Sequence, residues 1–169
     1  MSESSPFKFK KADDSAGFLL WKITALWQRK LAEVLGEFGI TQTQYAILAS
    51  LKWFDEKMEA ITQAQLVEHT KIDKMTVSKA IRKLEESGLL TRAQSSQDSR
   101  ATSVRFTAHG KRIIHKAIVA VENADEEFFS CCTEKQLQTY ISLTLAVIDS
   151  NASIHSSEKA DIKGVLNKR

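Results

Sequence analysis

Apolar positions crowd the stretch from Ser15 to Phe38 too densely for a single helical stripe. Phe18, Leu19, Leu20, Trp21, Ile23, Ala25, Leu26, Trp27, Leu31, Val34, Leu35 and Phe38 occupy more than one face of the helix they predict. A helix apolar over so much of its girth is expected to bury several faces, against its own domain and against a second subunit. Before it, residues 1–14 are polar, hold the single proline, Pro6, and show no sustained period, so they are expected to form a mobile arm.

Three further helix starts carry one local signal, a threonine followed three residues later by glutamine: Thr41 with Gln44, Thr62 with Gln65 and Thr133 with Gln136. At that spacing the hydroxyl accepts from the backbone N–H three residues on, while the amide oxygen accepts from the threonine's own N–H. The pattern predicts helices over 42–54, with Tyr45, Ile47, Leu48 and Leu51 on the core side, over 63–69, and over 134–150, with Leu137, Tyr140, Ile141, Leu145 and Ile148 as its apolar positions. Asp73 suits the N-cap of a helix running to Ser87, which leaves Thr70-Lys71-Ile72 as a three-residue turn between two helices. The glycine often found in such a turn is missing, whereas Gly88 stands where a helix stops in a left-handed residue.

Two strand signals follow, LLTR and TSVRFT, on either side of a polar loop. Thr102, Val104 and Phe106 alternate with Ser103 and Arg105, which predicts a strand with one face packed. From Thr107 to about Ser130 a long helix is expected, with Ile113, Ile114, Ala117, Ile118, Val121, Ala124 and Phe128 apolar. After Asn151 the pattern fades to Ile162, Val165 and Leu166, and residues 151–169 read as a polar, basic tail.

A short helix, a tight turn, a cationic helix and a basic hairpin, in that order, suit DNA. At about 100° per residue, Val77, Ala80, Ile81 and Leu84 cluster on one side of the 73–87 helix. The opposite side carries Met75, Lys79, Arg82, Lys83 and Glu86, flanked by Thr76 and Ser78. Short hydroxyls near a helix start allow close approach to base edges, Lys79 and Arg82 can reach guanine acceptors or phosphates, and Met75 can touch a thymine methyl. In the hairpin loop, Asp98 stands two residues before Arg100, a spacing at which the carboxylate can hold the guanidinium oriented for a narrow minor groove. Taken singly, a cationic helix or a surface ion pair is an ordinary solvated feature; their succession is what favours a DNA-reading module.

The charge distribution supports the same module. Residues 62–112 hold ten Lys/Arg against five Asp/Glu, whereas the remainder holds 14 against 16, so the formal +3 of the chain is concentrated there. A hydrophobic content of 43% with 27% charged residues excludes fibrous and disordered classes. No apolar run approaches the roughly 18–20 residues of a membrane span, and MSESSPFKFKK lacks a secretory apolar region, which predicts a cytoplasmic protein without a membrane partner. His69, His109, His115 and His155 are scattered, without metal-ligand spacing to one another or to the cysteines, and there is no glycine-rich phosphate loop. No metal, cofactor or enzymatic activity is expected. Cys131 and Cys132 are adjacent, an arrangement that bridges poorly without distorting the peptide between them.

The segments TVSKAIRKLEESGLLTR and DSRATSVRFTAHG resemble the multiple-antibiotic-resistance regulator (MarR) family of winged helix-turn-helix transcription factors, over about residues 15–150. The family's wing commonly shows an arginine, an Asp-x-Arg, alternating apolar residues and Leu-Thr-x-x-Gly. Here these are Arg92, Asp98 with Arg100, Val104 and Phe106, Thr107 and Gly110, with phenylalanine in place of the usual leucine. The resemblance implies a mainly α fold with a small two-stranded β wing. A winged helix-turn-helix at about 41–107 would lie between N- and C-terminal dimerisation helices at about 15–38 and 107–150. It implies a homodimer on a pseudo-palindromic operator, with Thr76, Ser78, Lys79 and Arg82 at the major groove, Arg100 at the wing tip oriented by Asp98, and Arg92 near the phosphates. Repression is the commoner behaviour of the family.

Many members release DNA when an anionic aromatic effector binds between the dimerisation helices and the reading module. Trp21, Trp27, Tyr45 and Trp53, with Phe18, supply aromatics near that region, although aromatics at helical spacing more often belong to a core. Other members sense oxidation through a cysteine near the start of the first helix, where this chain has none. Cys131 and Cys132 stand among Glu126, Glu127 and Glu134, which would raise a thiol pKa. Two alternatives therefore stand beside the DNA-binding regulator: a cysteine-based redox-sensing regulator, and a winged helix serving protein interaction. The latter would call for an apolar or acidic outer face, against which Lys79, Arg82, Lys83 and Arg100 argue.

Overall fold

The computed structural model describes residues 6–55, 61–94 and 101–166, with side chains as far as Asn151. After a short 3-10 turn at Ala12–Asp14 come α1 (Ala16–Gly36), α2 (Gln42–Asp55), β1 (Ile61–Thr62), α3 (Gln63–Thr70), α4 (Lys74–Glu86), β2 (Leu90–Gln94), β3 (Thr102–Phe106), α5 (Ala108–Phe128) and α6 (Glu134–Leu166). The chain divides into two compact units, the first reaching Asp125 and the second beginning at Glu126.

The helix starts form where local chemistry places them. The N–H of Thr41 donates to Gln44 Oε1 at 2.8 Å and that of Gln44 to Thr41 Oγ1 at 3.2 Å. The same reciprocal pair closes at Thr62 with Gln65, at 2.8 and 3.3 Å, and at Thr133 with Gln136, at 2.8 and 3.4 Å. Each box satisfies two backbone donors that the first helical turn leaves without partners. Ser15 caps α1, accepting from the Phe18 N–H.

The turn between α3 and α4 shows how the chain manages without glycine. Lys71 itself adopts the left-handed conformation, φ 57°, and its N–H donates to Val67 O at 3.0 Å. The Thr70 hydroxyl donates to Leu66 O at 2.7 Å and accepts from the Ile72 N–H at 3.3 Å, so side-chain bonds brace the turn. They help offset the roughly 1–2 kcal/mol that a side chain meets in this conformation. At the far end of α4, Gly88 (φ 70°) donates to Glu85 O and Leu89 donates to Leu84 O, both at 2.9 Å. This pair of bonds is a Schellman stop, completed by the burial of Leu84 and Leu89.

The sheet departs from the expected two-stranded wing. Ile61–Thr62 adds a third antiparallel strand, giving the order β1-β3-β2, with Ile61 opposite Val104 and Thr62 opposite Ser103. Two residues are too few for a period-of-two signal, so this strand could not be read from its own sequence. Because β3 is thereby central, Ser103 is buried together with Val104 instead of alternating outward, and its hydroxyl donates to Ala93 O at 3.1 Å.

In the first unit the core joins Leu35 of α1, Ile47, Leu48 and Leu51 of α2, Leu66 of α3, Val77, Ile81 and Leu84 of α4, Leu90, Val104 and Ile114. The expected inner face of α4 is buried in full, Ala80 included. Burying Val77, Ile81 and Leu84 contributes about 1.5–3 kcal/mol each, which fixes α4's other side toward solvent. On α1, by contrast, Phe18, Leu19, Leu20, Trp21 and Leu26 remain exposed. In the second unit α6 likewise exposes Tyr140, Ile141, Leu143, Leu145, Val147 and Ile148. α6 also continues to Leu166, well past the residue at which the apolar pattern ends; no proline interrupts it, and the Asn151 amide donates to Val147 O at 2.8 Å within the helix.

Candidate nucleic-acid interface

The cationic side of α4 is presented because its apolar side is fully used. Met75, 80% exposed, shares that outer surface with Thr76, Lys79, Arg82, Lys83 and Glu86, all exposed, and Ser78 is half-buried at its edge. Asp73 fixes the helix start: its carboxylate accepts from the Thr76 N–H at 2.9 Å. The Thr76 hydroxyl and this N–H hold the Asp73 carboxyl below its ordinary pKa, in that order of effect. Thr76 thus serves the cap as well as the surface.

Ser78 and Arg92 meet at one cleft of about 650 Å³, lined also by Thr62, Gln63, Val67, Lys74 and Thr102. The cleft joins the starts of α3 and α4 to the wing strands. Lys74 is a residue that sequence reading missed; its signal is a cation directly after the N-cap, on a turn already assigned to DNA. Glu85 was missed as well. Its Oε1 accepts from the Arg92 backbone N–H at 3.2 Å, and its Oε2 accepts from Arg92 Nε at 2.7 Å and pairs with Nη2 at 2.5 Å. The three contacts tie α4 to β2 across the Gly88 stop and orient the guanidinium. Hydrogen bonding from Arg92 holds the Glu85 carboxyl below its usual range, with the guanidinium charge adding to the effect.

Both depressed carboxyls give stability that is complete above about pH 5 and lost as pH falls through about 4 and below. Acid titration of thermal stability is expected to decline over that window, and Glu85→Gln is expected to flatten part of the decline. An unchanged profile in that variant would remove Glu85 from the account.

Asp98 and Arg100, together with most of the hairpin loop, lie outside the described residues. The four aromatics considered for an effector are distributed differently from one another. Trp27 of α1 and Tyr45 of α2 pack against the core, while Trp21 is 65% and Trp53 57% exposed. Burial, and then the charges of Glu122 and Asp125, push the Tyr45 hydroxyl above its ordinary pKa. The hydrogen bond with Cys131, followed by burial, pushes the Cys132 thiol up, away from a reactive thiolate. Among the described residues no group of three His, Cys, Asp or Glu converges on a metal-sized site, and no helix is long and apolar enough to cross a membrane.

A helix-turn-helix whose second helix is held by its apolar face with its cations outward, followed by a β2–β3 hairpin that β1, ahead of α3, extends to a three-stranded sheet, defines a winged-helix DNA-binding protein. The comparisons narrow the class. The MarR family model matches residues 40–102. The HTH-type transcriptional regulator YdcH of Bacillus subtilis is 35% identical over 129 residues, 76% of this chain and 88% of the relative. The structure of Bordetella bronchiseptica BpsR, whose DNA binding is regulated by 6-hydroxynicotinic acid, superposes with a TM-score of 0.75 at 21% identity, over 86% of this chain and 99% of that one. A mutant Escherichia coli MarR complexed with operator DNA superposes with a TM-score of 0.70 at 23% identity, over 78% and 91%. The chain belongs to the MarR family of transcriptional regulators.

Proposed function

We propose that the protein is a dimeric, cytoplasmic repressor that binds a pseudo-palindromic operator and leaves it when a small aromatic or anionic effector binds. The observation that carries the DNA-binding part is the outer face of α4, where Met75, Lys79, Arg82 and Lys83 are exposed beside a fully buried apolar face. In this reading Thr76, Ser78, Lys79 and Arg82 lie at the major groove. Arg92, oriented by Glu85, and Lys74 contact phosphates beside the cleft, and Arg100, steadied by Asp98, enters the minor groove. Support for an operator and an effector comes from the MarR complex with operator DNA and from BpsR with 6-hydroxynicotinic acid.

Dimerisation rests on the exposed apolar side chains of α1 and, separately, of α6. Leu26→Asp is expected to convert a dimer to a monomer in sedimentation velocity, because a carboxylate would lose its hydration at the interface. An unchanged sedimentation coefficient would place the interface elsewhere.

The reading as a whole is tested by selecting the purified protein's targets from random-sequence duplexes at two salt concentrations. An inverted repeat with half-sites about 34–36 Å apart, one helical turn, is the expected product. Weak, salt-sensitive binding without an enriched sequence would overturn it.

A further inference from the structure

Between α5 and α6 the chain makes a turn that the DNA-binding reading does not use. Ser130 and Cys132 close it, their N–H groups donating to Glu127 O at 3.2 Å and Phe129 O at 2.9 Å. Cys131 and Cys132 sit in this turn, outside both helices; both thiols are free, and Cys131 is exposed. Side chains of adjacent residues ordinarily diverge, yet these two sulfurs stand 3.9 Å apart. That is nearly twice the roughly 2.05 Å of a disulfide bond, so the two thiols are close neighbours without being linked. It is close to the separation of about 3.8 Å expected for two thiolates sharing one tetrahedral centre with metal–sulfur bonds of about 2.3 Å.

Two sulfurs alone limit what such a centre can be. No third His, Cys, Asp or Glu joins them among the described residues, so a zinc site with three or four protein ligands is not formed here. A soft centre that brings its own remaining substituent needs only the pair. Beside the turn, Phe129 lies tilted against Tyr140 with ring centroids 5.3 Å apart and meets Phe128 edge-on at 5.1 Å, an apolar surface for an organic substituent.

We propose that Cys131 and Cys132 form a bidentate site for a monosubstituted trivalent arsenical. Two As–S bonds form as the As=O bond of the arsenoxide is lost, its oxygen leaving as water with the two thiol protons; arsenic and sulfur keep their oxidation states, so no oxidant is required. A pyramidal arsenic(III) holds its two sulfurs closer together than a tetrahedral centre does, so binding requires the two side chains to rotate toward each other from their separation of 3.9 Å.

Phenylarsine oxide, added to the reduced full-length chain, tests the site. The expected result is one phenylarsine adduct per chain by intact mass, loss of both thiols to a thiol reagent, and an adduct that survives excess glutathione but is removed by dimercaptopropanol. Cys131→Ser and Cys132→Ser are each expected to weaken binding about 100-fold or more, because the second bond gains from the effective concentration of its neighbour. Circular dichroism checks that both variants fold. Two adducts per chain, or single-cysteine variants that hold the arsenical as tightly as the parent, would overturn the proposal. The readouts need no DNA, so the result is independent of the operator-binding reading.

Discussion

Gly110→Ala is expected to destabilise the protein by about 3 kcal/mol or more, at the upper end of what overpacking costs. A Cβ at this position would stand 2.0 Å from Leu89 O, 2.9 Å from its carbonyl carbon and 3.2 Å from its Cα. All three are backbone atoms, and that backbone is held from several sides. Leu89 N–H donates to Leu84 O, and Leu89 O accepts from the Thr107 N–H at 3.1 Å. The Thr107 hydroxyl donates to Gly88 O at 2.7 Å and accepts from the Gly110 N–H at 2.9 Å, capping α5 against the end of α4. Relieving the clash therefore means moving the start of α5 away from the end of α4. Gly17→Ala is the control, since nothing lies within 4 Å of a Cβ there and the position is helical; it is expected to be neutral or to stabilise by up to about 1 kcal/mol. Urea denaturation of the two variants measures the contrast. A Gly110→Ala protein within about 0.5 kcal/mol of the parent would mean that the close approach is absent.

The Thr-x-x-Gly pair at Thr107 and Gly110 was visible in the sequence as part of a family pattern, but its reason was not. The glycine answers to Leu89, 21 positions earlier, and only the packed turn brings the two together. The same distinction runs through the fold. Capping boxes, the Asp73 cap and the Gly88 stop were legible because donor and acceptor lie within a few residues. The inner face of α4 was legible because 3.6-residue periodicity is a property of one helix. β1 was not, since its two residues become a strand only through Val104 and Ser103; with it went the burial of Ser103. The left-handed Lys71 was not, because what sustains it is a set of bonds from Thr70 and Val67 and no residue preference. Among candidate site residues, Lys79 and Arg82 were placed by the helix wheel. The Glu85–Arg92 clamp spans seven residues across a change from helix to strand, a relation no single periodicity encodes.

On the proposed reading, Lys79→Ala and Arg82→Ala are each expected to weaken operator binding about 10- to 100-fold while leaving the melting temperature nearly unchanged. Both side chains are exposed, and alanine favours a helix, so the fold has little to lose. Which kind of contact each makes follows from two further quantities. A side chain that only neutralises a phosphate lowers affinity for all sequences alike, and its removal reduces the slope of log affinity against log salt by about 0.9. One that reads a guanine edge costs about 1–3 kcal/mol at the correct base and relaxes preference at that position. Arg82 lies two turns into α4 and Lys79 nearer its start, the end that commonly meets the bases in this class of motif. Lys79→Ala is therefore expected to change sequence preference and Arg82→Ala chiefly the salt slope. Arg100→Ala provides the wing counterpart and is expected to reduce discrimination at A·T-rich positions flanking the half-sites, where the minor groove is narrow. Binding isotherms for the three variants on one operator, at several salt concentrations and against single-base changes, separate these effects. If all three bind as the parent does, the outer face of α4 and the wing are not the surface that reads DNA.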